Sequence, residues 1–353
     1  MIAYEFVIKP ILVRVCGESV FGLLVAFTAG DFASAKRLVD ELFEMATTSE
    51  DSALTLQAHH AAWPTCMVIG PLAEARHHVA RGLALYRRDA HGEHALQYGG
   101  HDPGVCGYMI DALIASAMGY PDQAVRQMQE GLALARDLDH RPTLTQALWT
   151  AAELHQMRRE PQKVEEFVSV VLQLLGKHGS AVTVANATML RGWAGVMQGN
   201  NQEGLTVMRE GLAAWRETGS KYHAPYRLAR AAEAHLVAGE LDDGLLLLAE
   251  ASGHTGDFWL APELRRLNGE LLLQAGRRAE AEEYLAQALD VATEQNARLL
   301  ELRAAMSMAR LWRDQGKRDE ARDLLAPVYG WFTEGFDTLD LKEARALLDE
   351  LSA

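Results

Sequence analysis

The sequence predicts an all-α chain wound as a right-handed superhelical solenoid of about eight helical hairpins, with a period of about 40 residues. Three observations carry that prediction. Turn residues recur at Gly30, Gly70, Gly119, Arg159, Gly199, Gly239, Gly276 and Gln315-Gly316, at spacings of 40, 49, 40, 40, 40, 37 and 40. Small or apolar side chains recur at fixed offsets from those turns. The composition is 49% apolar, 23% charged and only 7% aromatic, the palette of packed helices rather than of a disordered chain.

Five positions after the turns stand Ala35, Ala75, Ala124, Val164, Gly204, Gly244, Ala281 and Ala321; twelve after stand Leu42, Gly82, Gly131, Val171, Gly211, Ala251, Ala288 and Val328. Seven before stand Leu23, Pro64 (one residue late), Ala112, Ala152, Gly192, Ala232, Gly269 and Ala309. Small side chains at these offsets let two helix backbones approach closely. This is the helix-turn-helix pattern of tetratricopeptide repeats, lengthened from about 34 residues to about 40. HEAT and armadillo arrays share the longer period, but the inner-turn glycine and the small residues favour tetratricopeptide-like hairpins.

Residues 1–17 do not fit the repeat and read as an irregular segment or the remnant of an upstream helix. Lys9, Pro10 and Arg14 interrupt their apolar run, so neither a signal peptide nor a membrane span is expected. The repeat array is expected over 18–337. Within it, Ala281, Tyr284, Leu285, Ala288, Leu289 and Ala292 fall on one face of a helix whose other face holds Glu282, Glu283 and Gln287. Residues 87–104 hold most of the surplus behind the 49-residue spacing, and a long connection inside an array is more often functional than idle. Asp102-Pro103 reads as an N-cap followed by proline at the first helical position. Residues 338–353 read as a helix capping the last repeat.

The net charge of −14, from 48 acids against 34 Lys plus Arg, argues against nucleic-acid binding, which needs a basic surface. Cys16, Cys66 and Cys106 are odd in number and never in CxxC spacing, so a reducing, cytoplasmic setting is expected. GKHGS (176–180) lacks the order of a phosphate-binding loop, and no GxGxxG, HExxH or GxSxG occurs. No cofactor, metal or catalytic residue is therefore assigned. His91, His94, His101 and Asp102 lie among glycines and read as solvated loop residues rather than metal ligands. The adjacent pairs His59-His60 and His77-His78 point about 100° apart on a helix and cannot chelate as pairs.

Candidate binding residues come from the first helix of each hairpin, where positions 13, 10, 6 and 3 before the turn share the concave face. They are Gln146, Trp149, Asn186, Met189, Trp193, Tyr226, Glu233, Arg266, Arg303, Arg310 and Arg313; Gln57 and His60 occupy the same offsets before Gly70. Trp149, Trp193 and Tyr226 would offer aromatic platforms to a protein, a peptide or a small polar ligand. The arginines would form a cationic patch for a carboxylate or phosphate, unless the tryptophans pack between helices and the arginines pair with acids.

The closing run ARLWRDQGKRDEARDLLAPVYGWFTEGFDTLDLKEARALLDEL and the interior stretch YGGHDPGVCGYMIDALIASAMGYPDQA resemble the C-terminal tetratricopeptide region of large bacterial signalling ATPases, often fused behind class III adenylate or guanylate cyclase domains. The resemblance covers about residues 18–352. It implies a sensor or partner-binding array without its ATPase or cyclase, and it transfers no ligand residues. The expected function is a non-catalytic binding scaffold. Self-association through apolar ends around Ile2 to Val15 is the second reading, and a metal-dependent enzyme the third.

Overall fold

The computed structural model describes residues 22–23, 25–49, 51–176 and 179–353. The segment 1–17 and Cys16 lie outside them. No strand occurs among the described residues, and no helix there is long and apolar enough to cross a membrane.

Paired helices follow one another along the chain. The helical residues 25–29 lead through Gly30 into α1 (Phe32–Ser49), followed by α2 (Ser52–Ile69) and α3 (Leu72–Leu85). An insertion then holds the one-turn α4 (Arg88–His91) and a π-helical turn, Ala95–Gly99. Five hairpins follow: α5 (Pro103–Ala117) with α6 (Pro121–Asp137), α7 (Arg141–Met157) with α8 (Pro161–Leu175), α9 (Ala181–Met197) with α10 (Asn201–Glu217), α11 (Ala224–Ala238) with α12 (Leu241–Ser252), and α13 (Ala261–Gln274) with α14 (Arg278–Glu294). The last hairpin, α15 (Arg298–Asp314) with α16 (Arg318–Gly330), precedes α17 (Leu339–Ser352). The array is a solenoid of tetratricopeptide-like hairpins.

The turns work as their residue types require. At seven of the eight turn positions the first helix of the hairpin ends on a residue in the left-handed region, φ 89° at Gly119 and 90° at Gly199 among them, where glycine avoids the Cβ penalty. Gly70 departs, with φ −126°. Arg159 holds φ 60° without being glycine; its guanidinium instead bridges Asp340 at 3.2 Å and Glu343 at 3.0 Å.

The small-residue offsets form the hairpin seams. Ala35, Ala75, Ala124, Val164, Ala281 and Ala321 are all fully buried. Seven residues before Gly70 the seam residue is Trp63, fully buried, rather than Pro64. Gly82 makes room for it, because a Cβ there would lie 2.4 Å from the Trp63 ring. The α9/α10 seam is tightest: a Cβ on Gly192 would lie 2.5 Å from the Met208 backbone nitrogen and 2.8 Å from the Gly204 oxygen. Gly192→Ala therefore has to separate two backbones. We expect it to lower stability by about 1–3 kcal/mol despite alanine's better helix propensity, read as an earlier thermal midpoint.

Distant hairpins also touch, and this narrows the groove. Glu334 accepts the backbone N–H groups of Asp122 and Gln123 at 3.0 Å each, and Trp331 packs on Tyr120 with ring centroids 5.5 Å apart. At the other end Lys221 N–H donates to the Thr28 carbonyl at 2.8 Å. Leu341, Ala344, Leu347 and Leu351 of α17 pack with Leu302, Met306, Ala309 and Leu325 of the last hairpin.

Candidate functional site

The side chains at the chosen offsets meet one another from hairpin to hairpin instead of lining an open surface. Trp193 is fully buried and its indole N–H donates to Glu233 Oε2 at 2.8 Å. Met189 is fully buried, and Asn186, 1% exposed, accepts a hydrogen bond from Arg227 Nε. The platform reading of Trp193 therefore gives way: with this winding, the ring fills the core. Trp149 is half-buried and donates to Glu153 at 2.9 Å. Tyr226 is 7% exposed, and its hydroxyl donates to Gln156 Oε1 at 2.7 Å. Glu233 also accepts from Gln156 at 3.2 Å.

The cationic patch is likewise paired. Arg266 makes a bidentate contact with Glu263 at 2.7 and 2.8 Å. Arg303 meets Asp340 at 2.8 Å and donates to the Met157 carbonyl. Arg310 reaches Glu343 at 3.1 Å, and Arg313 reaches Asp314 at 2.9 Å and Glu350 at 3.0 Å. The structure thus brings Trp193, Tyr226, Glu233, Arg266 and Arg303 into one buried network. Arg310 and Arg313 sit outside it against α17. Gln146 belongs to the opposite end, where its amide nitrogen approaches Cys106 Sγ at 3.6 Å.

Two residues outside the chosen offsets complete the centre of the groove. Arg227 and Arg230 stand one helical turn apart on α11, buried to 1% and 2% exposure. The sequence signal for them is two arginines one turn apart in an alanine-rich helix that also carries Glu233 and His235. Arg230 has no hydrogen-bond partner on any of its three guanidinium nitrogens, nor has Arg227 on Nη1. Its guanidinium lies 4.8 Å from the centre of the Tyr226 ring. It lines a narrow cleft together with Tyr226, Glu233, Trp259, Glu263 and Arg303.

Burial governs the charges here. It draws Arg227 down to about 10, with Glu153 opposing. It pushes Glu153 above the usual carboxylate range against the pull of Arg230, and pushes Glu233 up with Glu263 adding to the effect. A buried guanidinium without hydrogen bonds is costly, and arginine's planar fork matches the two oxygens of a carboxylate.

The insertion histidines are not solvated as the glycines around them led us to expect. His91 and His94 are 4% and 5% exposed; His91 Nδ1 accepts the Arg87 backbone N–H at 2.9 Å, and His94 Nδ1 lies 2.8 Å from Gln57 Nε2. His60 Nε2 and His101 Nε2 lie 3.0 Å apart, next to Cys106.

No family model matches the chain. An uncharacterized protein of Rhizobium meliloti (strain 1021) is 26% identical over 289 residues, which cover 80% of this chain and 28% of the relative. The chain thus spans under a third of that protein's length. Among solved structures, a Rap protein complexed with competence and sporulation factor superposes with a TM-score of 0.58 at 11% identity, covering 96% of this chain and 97% of that one. A Pyrococcus horikoshii signal transduction ATPase with a tetratricopeptide repeat sensor gives 0.45 at 14% identity, over 91% and 49%. The fold is therefore that of tetratricopeptide-type helical repeat proteins.

Proposed function

We propose that the chain is a non-catalytic recognition scaffold that takes a carboxylate, carried by a peptide or a small polar ligand, into the cleft at the centre of the concave groove. The observation that carries the proposal is Arg230: a guanidinium 2% exposed, without a hydrogen-bond partner, lining that cleft. Two parallel N–H···O bonds to a ligand carboxylate would satisfy it, with the Tyr226 ring beneath the guanidinium. The cleft admits the tip of a ligand, so the remainder would lie along the groove.

The likeness to a Rap protein that was solved in a complex supports this use of the groove. The resemblance to the repeat region of cyclase- and ATPase-linked signalling proteins supports a sensor role.

Peptide pools with free or amidated C termini, compared by thermal shift, test the reading. Wild type should be stabilised by the free-carboxylate pool. Arg230→Met should lose at least about 30-fold in affinity, because truncating one partner of a buried charge pair costs about 2–5 kcal/mol. Without probe, the same variant should lose little stability, since the buried guanidinium it removes makes no hydrogen bond and only the attraction of Glu153 and the contact with the Tyr226 ring go with it. Equal response of both proteins to both pools would sink the assignment.

A further inference from the structure

We propose that His60, His101 and Cys106 form a divalent transition-metal site on the concave face, where α2, the insertion and α5 meet, and that zinc is the ion it fits. The inference is independent of the carboxylate cleft. One ligating atom from each residue lies within 4.8 Å of the other two, with the two imidazole Nε2 atoms 3.0 Å apart. In a tetrahedral zinc site, bond lengths of about 2.0–2.1 Å to nitrogen and about 2.3 Å to sulfur place two nitrogens roughly 3.3 Å apart and a nitrogen and sulfur roughly 3.5 Å apart. The two nitrogens need to part by only a few tenths of an ångström, and the sulfur, within 4.8 Å of both, closes the third corner.

Hydrogen bonding prepares two of the three ligands, His60 and Cys106. His60 Nδ1 lies 3.1 Å from Gln57 Oε1, an acceptor, so Nδ1 carries the proton and Nε2 presents a lone pair. The Gln57 amide is oriented in turn by His94, through Nε2 at 2.8 Å. This is the outer shell that fixes the tautomer of a metal-bound histidine. Cys106 is 4% exposed in the first turn of α5, where the helix dipole favours a thiolate. Gln146 Nε2–H points at its sulfur from 3.6 Å, and the buried Trp63 indole N–H beside it has no other acceptor. Donors surrounding a buried sulfur suit an anion, and a metal ion supplies the countercharge.

The frame is rigid in spite of the glycines. Asp102, next to His101, caps α5 through the Val105 N–H at 2.9 Å, accepts the Tyr86 hydroxyl at 3.0 Å and is held by Thr143 at 2.9 Å. Two imidazoles with one thiolate select zinc over calcium or magnesium. Three protein ligands leave a fourth position for a water or ligand atom, and the amide of Gln146, which reaches the sulfur through Nε2, has a buried Oε1 without a partner. The sequence pattern hides the site because its ligands come from three separate segments. The metal would pin the insertion to the groove wall.

The full chain, stripped with chelator, is titrated with Zn²⁺ by calorimetry and with Co²⁺ by absorption. We expect one ion per chain and a tetrahedral cobalt spectrum with a thiolate charge-transfer band. Cys106→Ser should abolish that band, and it and His101→Gln should each weaken zinc binding at least about 100-fold with the helical circular dichroism unchanged. Gln57→Ala should weaken it about 10–100-fold. His78→Asn, in a separate cluster with Cys66 and Glu74, should bind as wild type does. Should Cys106→Ser fail to fold, His101→Gln, on the partly exposed insertion, gives the reading. The proposal is overturned if wild type binds no zinc at one equivalent, if His101→Gln binds as tightly as wild type, or if the loss follows His78→Asn instead.

Discussion

Trp193→Ala should cost about 3–5 kcal/mol of stability, read as a lower urea midpoint at pH 7. The ring is fully buried in the main core cluster, against helices whose backbones are already in contact through Gly192, Gly204 and Gly211. Such tightly seated backbones cannot collapse into the space left behind. The variant also removes the indole N–H from Glu233, whose carboxylate then keeps only Gln156 as a hydrogen-bond donor. Trp193→Phe separates the two effects: it restores most of the volume but not the N–H, so about 1–3 kcal/mol of the cost should remain. A tryptophan serving as an open ligand platform would behave otherwise, because surface substitutions stay within about 0.5 kcal/mol. A Trp193→Ala midpoint indistinguishable from wild type would return the residue to the groove surface.

Trp193 also marks where legibility in the sequence stops. Hairpin seams are local: a residue five after a turn must face a residue seven before it, so Ala281 and Ala321 could be placed from spacing alone, and both are fully buried. Even the exception at Trp63 has a local signature in Gly82, nineteen residues away. The direction of the concave face is local too, since it follows from 3.6 residues per turn. Its width is not. Width depends on the winding of the whole array, and on contacts such as Glu334 with the Asp122 and Gln123 amides, more than 200 residues apart in sequence. For that reason Gln146, Tyr226 and Arg303 could be assigned to one face without any indication that they would be covered there. Arg230 was missed for a related reason: at nine residues before its turn it falls outside the four chosen offsets, and only the assembled groove shows that its guanidinium lacks a partner.

Asp340→Ala should be the other costly substitution, at about 3–5 kcal/mol, because it removes one partner from a buried ion pair. Asp340 is 2% exposed and sits between Arg303 at 2.8 Å and Arg159 at 3.2 Å. It joins α17 to two hairpins that lie far apart in the chain. Burial acts to raise its pKa, but the two guanidinium groups outweigh burial and hold the carboxyl below the usual range. A depressed folded-state pKa stabilises fully above the unfolded value of about 3.9 and is lost as pH falls through the folded value. The stability gap between wild type and Asp340→Ala should therefore be largest near pH 7 and shrink below about pH 4. Amide hydrogen exchange should locate the same effect. Loosening the Arg159–Asp340–Arg303 bridge should speed exchange around residues 119–123 and 331–341, where the segment after the last hairpin meets the α5/α6 turn, while leaving the α9/α10 seam unchanged. Uniform acceleration across the chain would mean that Asp340 supports global stability alone. Acceleration confined to the junction would mean that this bridge sets how tightly the superhelix is wound, and with it how far the Arg230 cleft can open to admit a carboxylate.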